Sequence, residues 1–330
     1  DSDLGERVFV AEAYLDPIQR LTQYVTPDRL HSTFNFDALL SEWSAASQRA
    51  VIAKSLPAHD AVGAPTTWVL GNHDSTRVVT RFGKPETGGN FATAVEGEGW
   101  EDPAERALRM HSFPTDVARG RRRARAAALM ELSLPGTAYI YQGEELGMTN
   151  TQFHSLADCR DLEEINAWHQ YVDEQKKVSP ETMLACFNTV ARDNARTPMQ
   201  WTAGKNAGFT DATPWLAVNP NYTTINAEAA LKDPDSTFYY YQKLIRLRHA
   251  YPIIVYGTFE PLLEDDSNVY AFARHLGGET LLIACNWTSE EVPCNLFDGK
   301  DGEELISNYA NHKTGALQPY EARVLLLRNA

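Results

Sequence analysis

Apolar residues in the first 252 positions occur in short runs that alternate with longer segments of helical periodicity. Three runs predict buried strands, because each is rich in β-branched or aromatic residues and ends at glycine or polar residues. They are Val8–Ala11, Thr66–Leu70 and Thr137–Tyr141. A fourth run, Leu30–Leu40, alternates only partly and leads into a helix. Alternation of strands and helices is typical of a parallel α/β sheet.

The segments between these runs predict three helices, over residues 41–56, 115–132 and 234–251. Ser41 and either Thr115 or Asp116 are suitable N-caps for the first two, and Pro252 ends the third. The Gly-rich, acidic stretch 82–103 predicts a loop.

Two further regions have other patterns. Residues 150–191 are polar and irregular, which predicts an inserted subdomain or long loop. After Pro252, short apolar runs are separated by turn residues, which predicts an all-β region without helices. Its predicted strands are Ile253–Tyr256, Val269–Arg274, Thr280–Asn286 and Arg323–Leu327.

Charge and cysteine content limit the classes of function. The chain has 330 residues with 44 acidic and 30 basic side chains, a net charge of -14. This balance disfavours nucleic acid or an anionic membrane as the main partner and is compatible with a neutral substrate. No segment is apolar enough to predict a membrane span.

The four cysteines, Cys159, Cys186, Cys285 and Cys294, show no C-x-x-C or metal-type spacing. They predict reduced thiols in a cytoplasmic protein and no metal site. A disulfide between Cys285 and Cys294 across a hairpin remains open.

Candidate chemistry follows three of the predicted strands. Glu12 follows the first, His73 and Asp74 follow the second, and Glu144 and Glu145 follow the third. Each taken alone has an ordinary alternative as a helix cap, a packed loop residue or an exposed acid. Two carboxylates at the mouth of a parallel sheet suit cleavage of a glycosidic bond, in which one carboxyl group protonates the leaving oxygen.

Four strings occur in a specific order: VFVAEA, WVLGNHD, LPGTAYIYQGEELGM and ARDNARTPMQW. Together they resemble the α-glucosidase and oligo-1,6-glucosidase branch of glycoside hydrolase family 13, the α-amylase family. The resemblance implies that the strands are the last four of a (β/α)₈ TIM barrel. The implied domains are therefore a C-terminal half-barrel at 1–252, with an insertion near 150–190, and a small all-β sandwich at 253–330.

The resemblance also implies residue roles. Glu12 matches the general acid/base, and Asp74 matches the carboxylate that binds the ring hydroxyls and stabilises the transition state. His73 matches a histidine that hydrogen-bonds the same sugar, and Arg196 matches an arginine that closes the glucose pocket. The paired glutamates of the third string match a positioning motif. No cofactor is implied.

The family's nucleophile lies in a Gly-x-Arg-x-Asp segment, which the sequence lacks. We therefore expect a fragment of a retaining α-glucosidase for maltose- or isomaltose-type oligosaccharides, inactive without the N-terminal half of the same barrel. Linkage preference remains open. The alternative is a non-catalytic barrel relative that serves as a binding or partner subunit, as do the heavy chains of amino-acid transporters.

Overall fold

The computed structural model describes residues 7–26, 29–85 and 114–328. These residues form two units. The first contains the described parts of Asp1–Leu70, Ala126–Tyr139 and Leu244–Ala330, and the second those of Gly71–Arg125 and Ile140–Lys243. Most of the loop predicted at 82–103 lies outside the described residues. The division predicted between residues 252 and 253 stays a prediction.

Four short strands of the first unit are β1 (Val10–Ala11), β2 (Ser32–Thr33), β3 (Thr67–Val69) and β4 (Thr137–Tyr139). β1 pairs in parallel with β2, and β3 pairs in parallel with β4. The Thr67 hydroxyl donates to the Thr33 carbonyl at 2.7 Å and accepts from the Asn35 N–H at 2.9 Å, so a side chain links the two pairs. The three predicted strands are present in shortened form.

The described α-helices, in chain order, are α1 (Ile18–Thr22), α2 (Phe36–Leu40), α3 (Ala45–Asp60), α4 (Val78–Phe82), α5 (Val117–Ser133), α6 (Leu162–Trp168), α7 (Pro180–Val190), α8 (Ala227–Lys232), α9 (Thr237–Ala250) and α10 (Pro252–Tyr256). Helices α5 and α9 match their predictions. Helix α3 begins later than predicted, because Ser44 rather than Ser41 is its N-cap. The Ser44 hydroxyl accepts a hydrogen bond from the Ser47 N–H at 3.0 Å.

The C-terminal part of the first unit is rich in antiparallel sheet. Its strands are β5 (Thr258–Leu262), β6 (Val269–Leu276), β7 (Glu279–Asn286), β8 (Val292–Pro293), β9 (Glu303–Ser307), β10 (Ala316–Leu317) and β11 (Ala322–Arg328). Five of them form one sheet in the order β5-β6-β7-β11-β9, and β8 pairs with β10. Side chains from both sheets, including Ala271, Ala284, Val292 and Leu317, share one buried apolar cluster.

The strand predicted at Ile253–Tyr256 is wrong, because these residues form α10. Pro252 occupies the first turn of the helix, where its fixed φ and missing N–H favour a helix start. Ile253 and Ile254 are buried, so packing outweighs the preference of β-branched residues for strands.

The region predicted as irregular, 150–191, is instead mostly helical and belongs to the second unit. It contains α6, a following π-helical stretch at His169–Glu174, and α7, which is capped by Ser179. These helices enclose their own apolar core: Phe153, Cys159, Tyr171, Val178, Met183, Cys186, Phe187 and Ala191. The helical periodicity of this region is difficult to recognise in the sequence, because its apolar residues are distributed over several short elements.

All four cysteines are free and buried. No helix among the described residues is long and apolar enough to cross a membrane.

Candidate active site

His73 and Asp74 lie in a turn that follows β3. The turn is held by side-chain hydrogen bonds of the kind that asparagine and serine make with nearby backbone groups. Asn72 Oδ1 accepts from the Asp74 N–H at 2.9 Å, and the Asn72 N–H donates to Ser75 Oγ at 3.0 Å. The turn leaves His73 exposed and the Asp74 side chain 33% exposed. Both side chains are therefore accessible to a ligand.

Two arginines hold one oxygen of the Asp74 carboxylate. Arg192 donates to Asp74 Oδ1 from Nε at 3.0 Å and from Nη2 at 2.6 Å. Arg196 donates to the same oxygen from Nη2 at 2.5 Å, and His73 Nε2 lies 3.6 Å from it. The other oxygen, Asp74 Oδ2, accepts no hydrogen bond from any described residue. It is therefore available to a ligand hydroxyl.

The pKa of Asp74 lies below its ordinary value. Partial burial alone would raise this pKa, but the hydrogen bonds and positive charges of Arg192 and Arg196 outweigh burial. Asp74 is therefore a carboxylate at neutral pH. In this form it can accept hydrogen bonds from hydroxyl groups and stabilise a positive charge that develops nearby.

Arg196 is fixed by more than Asp74. Its Nε donates to the His73 carbonyl at 2.9 Å, and its Nη1 donates to Asp161 Oδ2. Burial would raise the pKa of Asp161, but the Glu163 N–H and Arg196 together lower it. Arg196 thus bridges two ionised carboxylates, which leaves its guanidinium little freedom to move.

Two more carboxylates are buried beside this bridge. Asp193 Oδ2 accepts from the N–H groups of Arg160 and Asp161, and Glu164 Oε1 accepts from the Arg192 N–H at 2.9 Å. Asp161, Glu164 and Asp193 each place one oxygen within 4.8 Å of the other two. Burial raises the pKa of Glu164 to about 7, with the neighbouring carboxylates adding to the rise. A cation or a proton at this cluster would relieve the repulsion.

Arg77 connects the loop after β4 to the segment that carries the two arginines. Its side chain is buried, and it donates to the Gln142 carbonyl at 2.6 Å and to the Asn194 carbonyl at 3.2 Å. Because Asn194 lies between Arg192 and Arg196, this contact supports the position of both guanidinium groups.

Glu144 and Glu145 each accept a hydrogen bond from another residue of the second unit. Glu145 Oε2 accepts from the Gly143 N–H at 2.8 Å, and Glu144 Oε2 accepts from the Tyr241 hydroxyl at 3.5 Å. A Cβ at Gly71 would lie 2.7 Å from Glu144 Oε1, so the absence of a side chain there permits this packing.

Glu12 lies in the first unit, directly after β1, and is exposed. The end of β1 is fixed at Ala11, whose carbonyl accepts from the Phe34 N–H at 3.1 Å and from the Thr33 hydroxyl at 3.2 Å. Glu12 therefore stands at the carboxyl end of a parallel strand, as predicted.

Of the predicted site residues, His73, Asp74 and Arg196 come together within the second unit, whereas Glu12 belongs to the first. The sequence pattern does not single out Arg192 or Asp161. Arg192 precedes Arg196 by four residues in the same string, a spacing that could have indicated a joint role. Asp161 carries no comparable signal, because it is distant in sequence from its partners.

Comparisons with known proteins identify the family. The family model described as "Alpha amylase, catalytic domain" matches residues 107–257. An oligo-1,6-glucosidase from Parageobacillus thermoglucosidasius is 44% identical over 249 residues, which cover 71% of this chain and 44% of that protein. An α-glucosidase from Pediococcus pentosaceus is 40% identical over 294 residues, covering 87% of this chain and 47% of the relative.

Among solved structures, the trehalose-6-phosphate hydrolase of Bacillus licheniformis is similar, with a TM-score of 0.78 and 31% identity. The match covers 98% of this chain and 56% of that one. The chain spans about half the length of the relatives that it matches. It belongs to the α-amylase family of glycoside hydrolases, in the branch that contains the oligo-1,6-glucosidases and α-glucosidases.

Proposed function

We propose that this chain contributes the acid/base and the transition-state-stabilising carboxylate of a retaining α-glucosidase. The enzyme would release terminal α-linked glucose from maltose- or isomaltose-type oligosaccharides. The observation that carries the proposal is the state of Asp74, which is ionised, anchored through Oδ1 by Arg192 and Arg196, and open at Oδ2. Relatives named oligo-1,6-glucosidase and α-glucosidase support it.

In this proposal, Glu12 protonates the leaving oxygen and later activates water as a general base. Asp74 Oδ2 accepts hydrogen bonds from ring hydroxyls, and its charge stabilises the oxocarbenium-like transition state. The exposed His73 ring hydrogen-bonds the same sugar. Arg196, fixed between Asp74 and Asp161, closes the glucose pocket.

The strand pairings support the domain organisation that this proposal requires. The parallel pairs β1–β2 and β3–β4 support an assignment to the last four strands of a (β/α)₈ barrel, within a domain at 1–252. The antiparallel sheets after Pro252 support an all-β sandwich at 253–330. The four unpaired cysteines support a cytoplasmic location.

The nucleophile is the missing component. A retaining mechanism needs a second carboxylate that attacks the anomeric carbon, and the sequence contains no Gly-x-Arg-x-Asp segment. We therefore propose that the chain alone does not turn over substrate and that its catalytic partner is the remaining half of the same barrel.

Charge favours a neutral substrate over a phosphorylated one. Around the sugar site, the carboxylates of Asp74, Asp161 and Asp193 outnumber the guanidinium groups of Arg192 and Arg196. A phosphate would meet net repulsion there. We therefore propose maltose or isomaltose as substrate rather than trehalose 6-phosphate, the substrate named for some relatives.

The test is hydrolysis of p-nitrophenyl α-glucoside. The chain alone is expected to release no nitrophenol. Coexpression with the part of the P. thermoglucosidasius relative that this chain does not match is expected to restore release, and Glu12→Gln is expected to abolish the restored rate. Ordinary turnover by the chain alone would contradict the missing-nucleophile step. Failure to restore hydrolysis, together with no binding of methyl α-glucoside, would favour a non-catalytic partner subunit.

A further inference from the structure

A concave site that takes no part in the proposed chemistry lies within the second unit. It is a cavity of about 430 Å³, within the range of pockets that bind small molecules. Trp215 is among its lining residues and has 65% of its surface exposed. Because Trp215 lines the cavity and is exposed, its indole is accessible to a ligand that enters the cavity.

Hydrogen bonds fix two polar side chains at the rim of the cavity. Arg160 Nε donates to the Trp215 carbonyl at 3.1 Å, while Arg160 Nη1 donates to the carbonyls of Ala157 and Cys159. Asn206 donates from Nδ2 to the carbonyls of Thr210 and Ala212. These contacts hold the guanidinium and carboxamide groups before any ligand arrives, which lowers the entropy cost of binding.

Several polar groups of the lining still have hydrogen-bonding capacity. Arg160 Nη2, Asn206 Oδ1 and the hydroxyls of Thr213 and Tyr222 make no hydrogen bond with any described residue. One fixed donor, one fixed acceptor and two hydroxyls beside an indole suit a ligand rich in hydroxyl groups, since each hydroxyl both donates and accepts. The indole provides an apolar face for the C–H side of a pyranose ring.

The charges of the cavity also favour a neutral ligand. Asp158 and Arg160 are its only charged lining residues among those described, and their charges cancel. The Asp158 carboxylate already accepts hydrogen bonds from the N–H groups of His154 and Ser155, which partly compensate its negative charge.

The geometry points to a saccharide-binding site at this cavity, in which Trp215 stacks on a pyranose ring and the rim groups bind its hydroxyls. The inference rests on the proposed saccharide substrate but concerns residues other than the Asp74 site. Arg160 lines the cavity, and the adjacent Asp161 pairs with Arg196, so one short segment serves both sites. The cavity would accommodate a sugar unit of an α-glucan.

The experiment is isothermal titration of the 330-residue chain with maltotriose. Trp215→Ala is expected to weaken binding about tenfold or more, because exposed aromatic anchors dominate such contacts. The matched control is Trp201→Ala, which removes another half-exposed indole that does not line the cavity and is expected to leave the affinity unchanged. Tyr222→Phe removes only a hydroxyl, so it retains packing, and is expected to weaken binding about threefold.

Asp74→Asn separates the two sites. Retained maltotriose binding in Asp74→Asn, together with weakened binding in Trp215→Ala and Tyr222→Phe, supports the cavity. Binding that is lost in Asp74→Asn and unchanged in both cavity variants would overturn the inference while leaving the proposed function intact. Absence of hydrolysis by the restored enzyme would instead remove the proposed function. Tighter binding of glucose 6-phosphate than of glucose at the cavity would overturn the assignment to a neutral sugar.

Discussion

The protonation state of Glu164 makes the stability of this chain depend on pH. Glu164 is buried, its Oε2 has no hydrogen-bond partner among the described residues, and burial raises its pKa from 4.5 to about 7. The folded chain therefore binds a proton that the unfolded chain has already lost between these pH values. This contribution to stability is fully present below pH 4.5 and is lost as the pH rises through 7. At about 1.36 kcal/mol per pKa unit, the loss amounts to about 3 kcal/mol.

Glu164→Gln removes this titration. The amide oxygen can still accept from the Arg192 N–H, so the variant preserves the contact at 2.9 Å. The assay is urea unfolding of both chains between pH 4 and pH 8. The free energy of unfolding of the variant, relative to wild type, is expected to rise by about 3 kcal/mol over this interval.

The control is Glu228→Gln, which changes an exposed carboxylate that does not contribute to the pKa shift of Glu164 and is expected to keep the pH dependence of wild type. A difference between Glu164→Gln and wild type that stays constant with pH would refute the reasoning.

Three other substitutions test separate contacts. Gly120→Ala in α5 would place a Cβ 2.1 Å from the Val79 carbonyl oxygen, so we expect the free energy of unfolding to fall by about 1–3 kcal/mol. At an exposed helical position, the same substitution would instead increase stability. Arg274 is fully buried, its Nε and Nη1 have no hydrogen-bond partner in the described part of the chain, and burial lowers its pKa to about 10. Arg274→Met is therefore expected to raise the unfolding free energy by about 1 kcal/mol or more, and a clear loss in urea unfolding would contradict this. Arg192→Ala removes two hydrogen bonds from Asp74 and should raise the pKa of that carboxyl group, as followed by carboxyl ¹³C NMR titration.

Sequence periodicity predicted the elements whose apolar pattern is long or whose boundaries carry clear signals. Helix α5 was identifiable because a suitable N-cap residue, Asp116, precedes a long helical pattern. In the structure, the Asp116 carboxylate accepts a hydrogen bond from the Arg119 N–H, as an N-cap should. Helix α10 was not identifiable from the sequence, because Ile253 and Ile254 locally favour a strand. These residues are helical because Pro252 favours a helix start and both side chains are buried in the helical conformation. Local preference could not show this packing.

The sequence likewise predicts some residues of the candidate site and not others. Asp74 and Arg196 could be predicted, since each lies in a string that resembles the family. Arg192 and Asp161 complete the charge network, yet their contacts join residues far apart in sequence. Glu164 also gave no signal, because its raised pKa arises from burial that the residue pattern does not reveal.

The role of Asp74 is tested most directly in the enzyme restored by coexpression. Asp74→Asn keeps the size of the side chain but removes the charge that Arg192 and Arg196 hold in place. We expect kcat for p-nitrophenyl α-glucoside to fall by about 10²–10³, the usual cost of removing an electrostatic stabiliser of a transition state. Glu228→Gln, which changes an exposed carboxylate paired only with Lys232 among the described residues, is expected to retain the full rate. An Asp74→Asn enzyme that folds as wild type does and hydrolyses the glucoside at an undiminished rate would contradict the assignment of Asp74 to the active site.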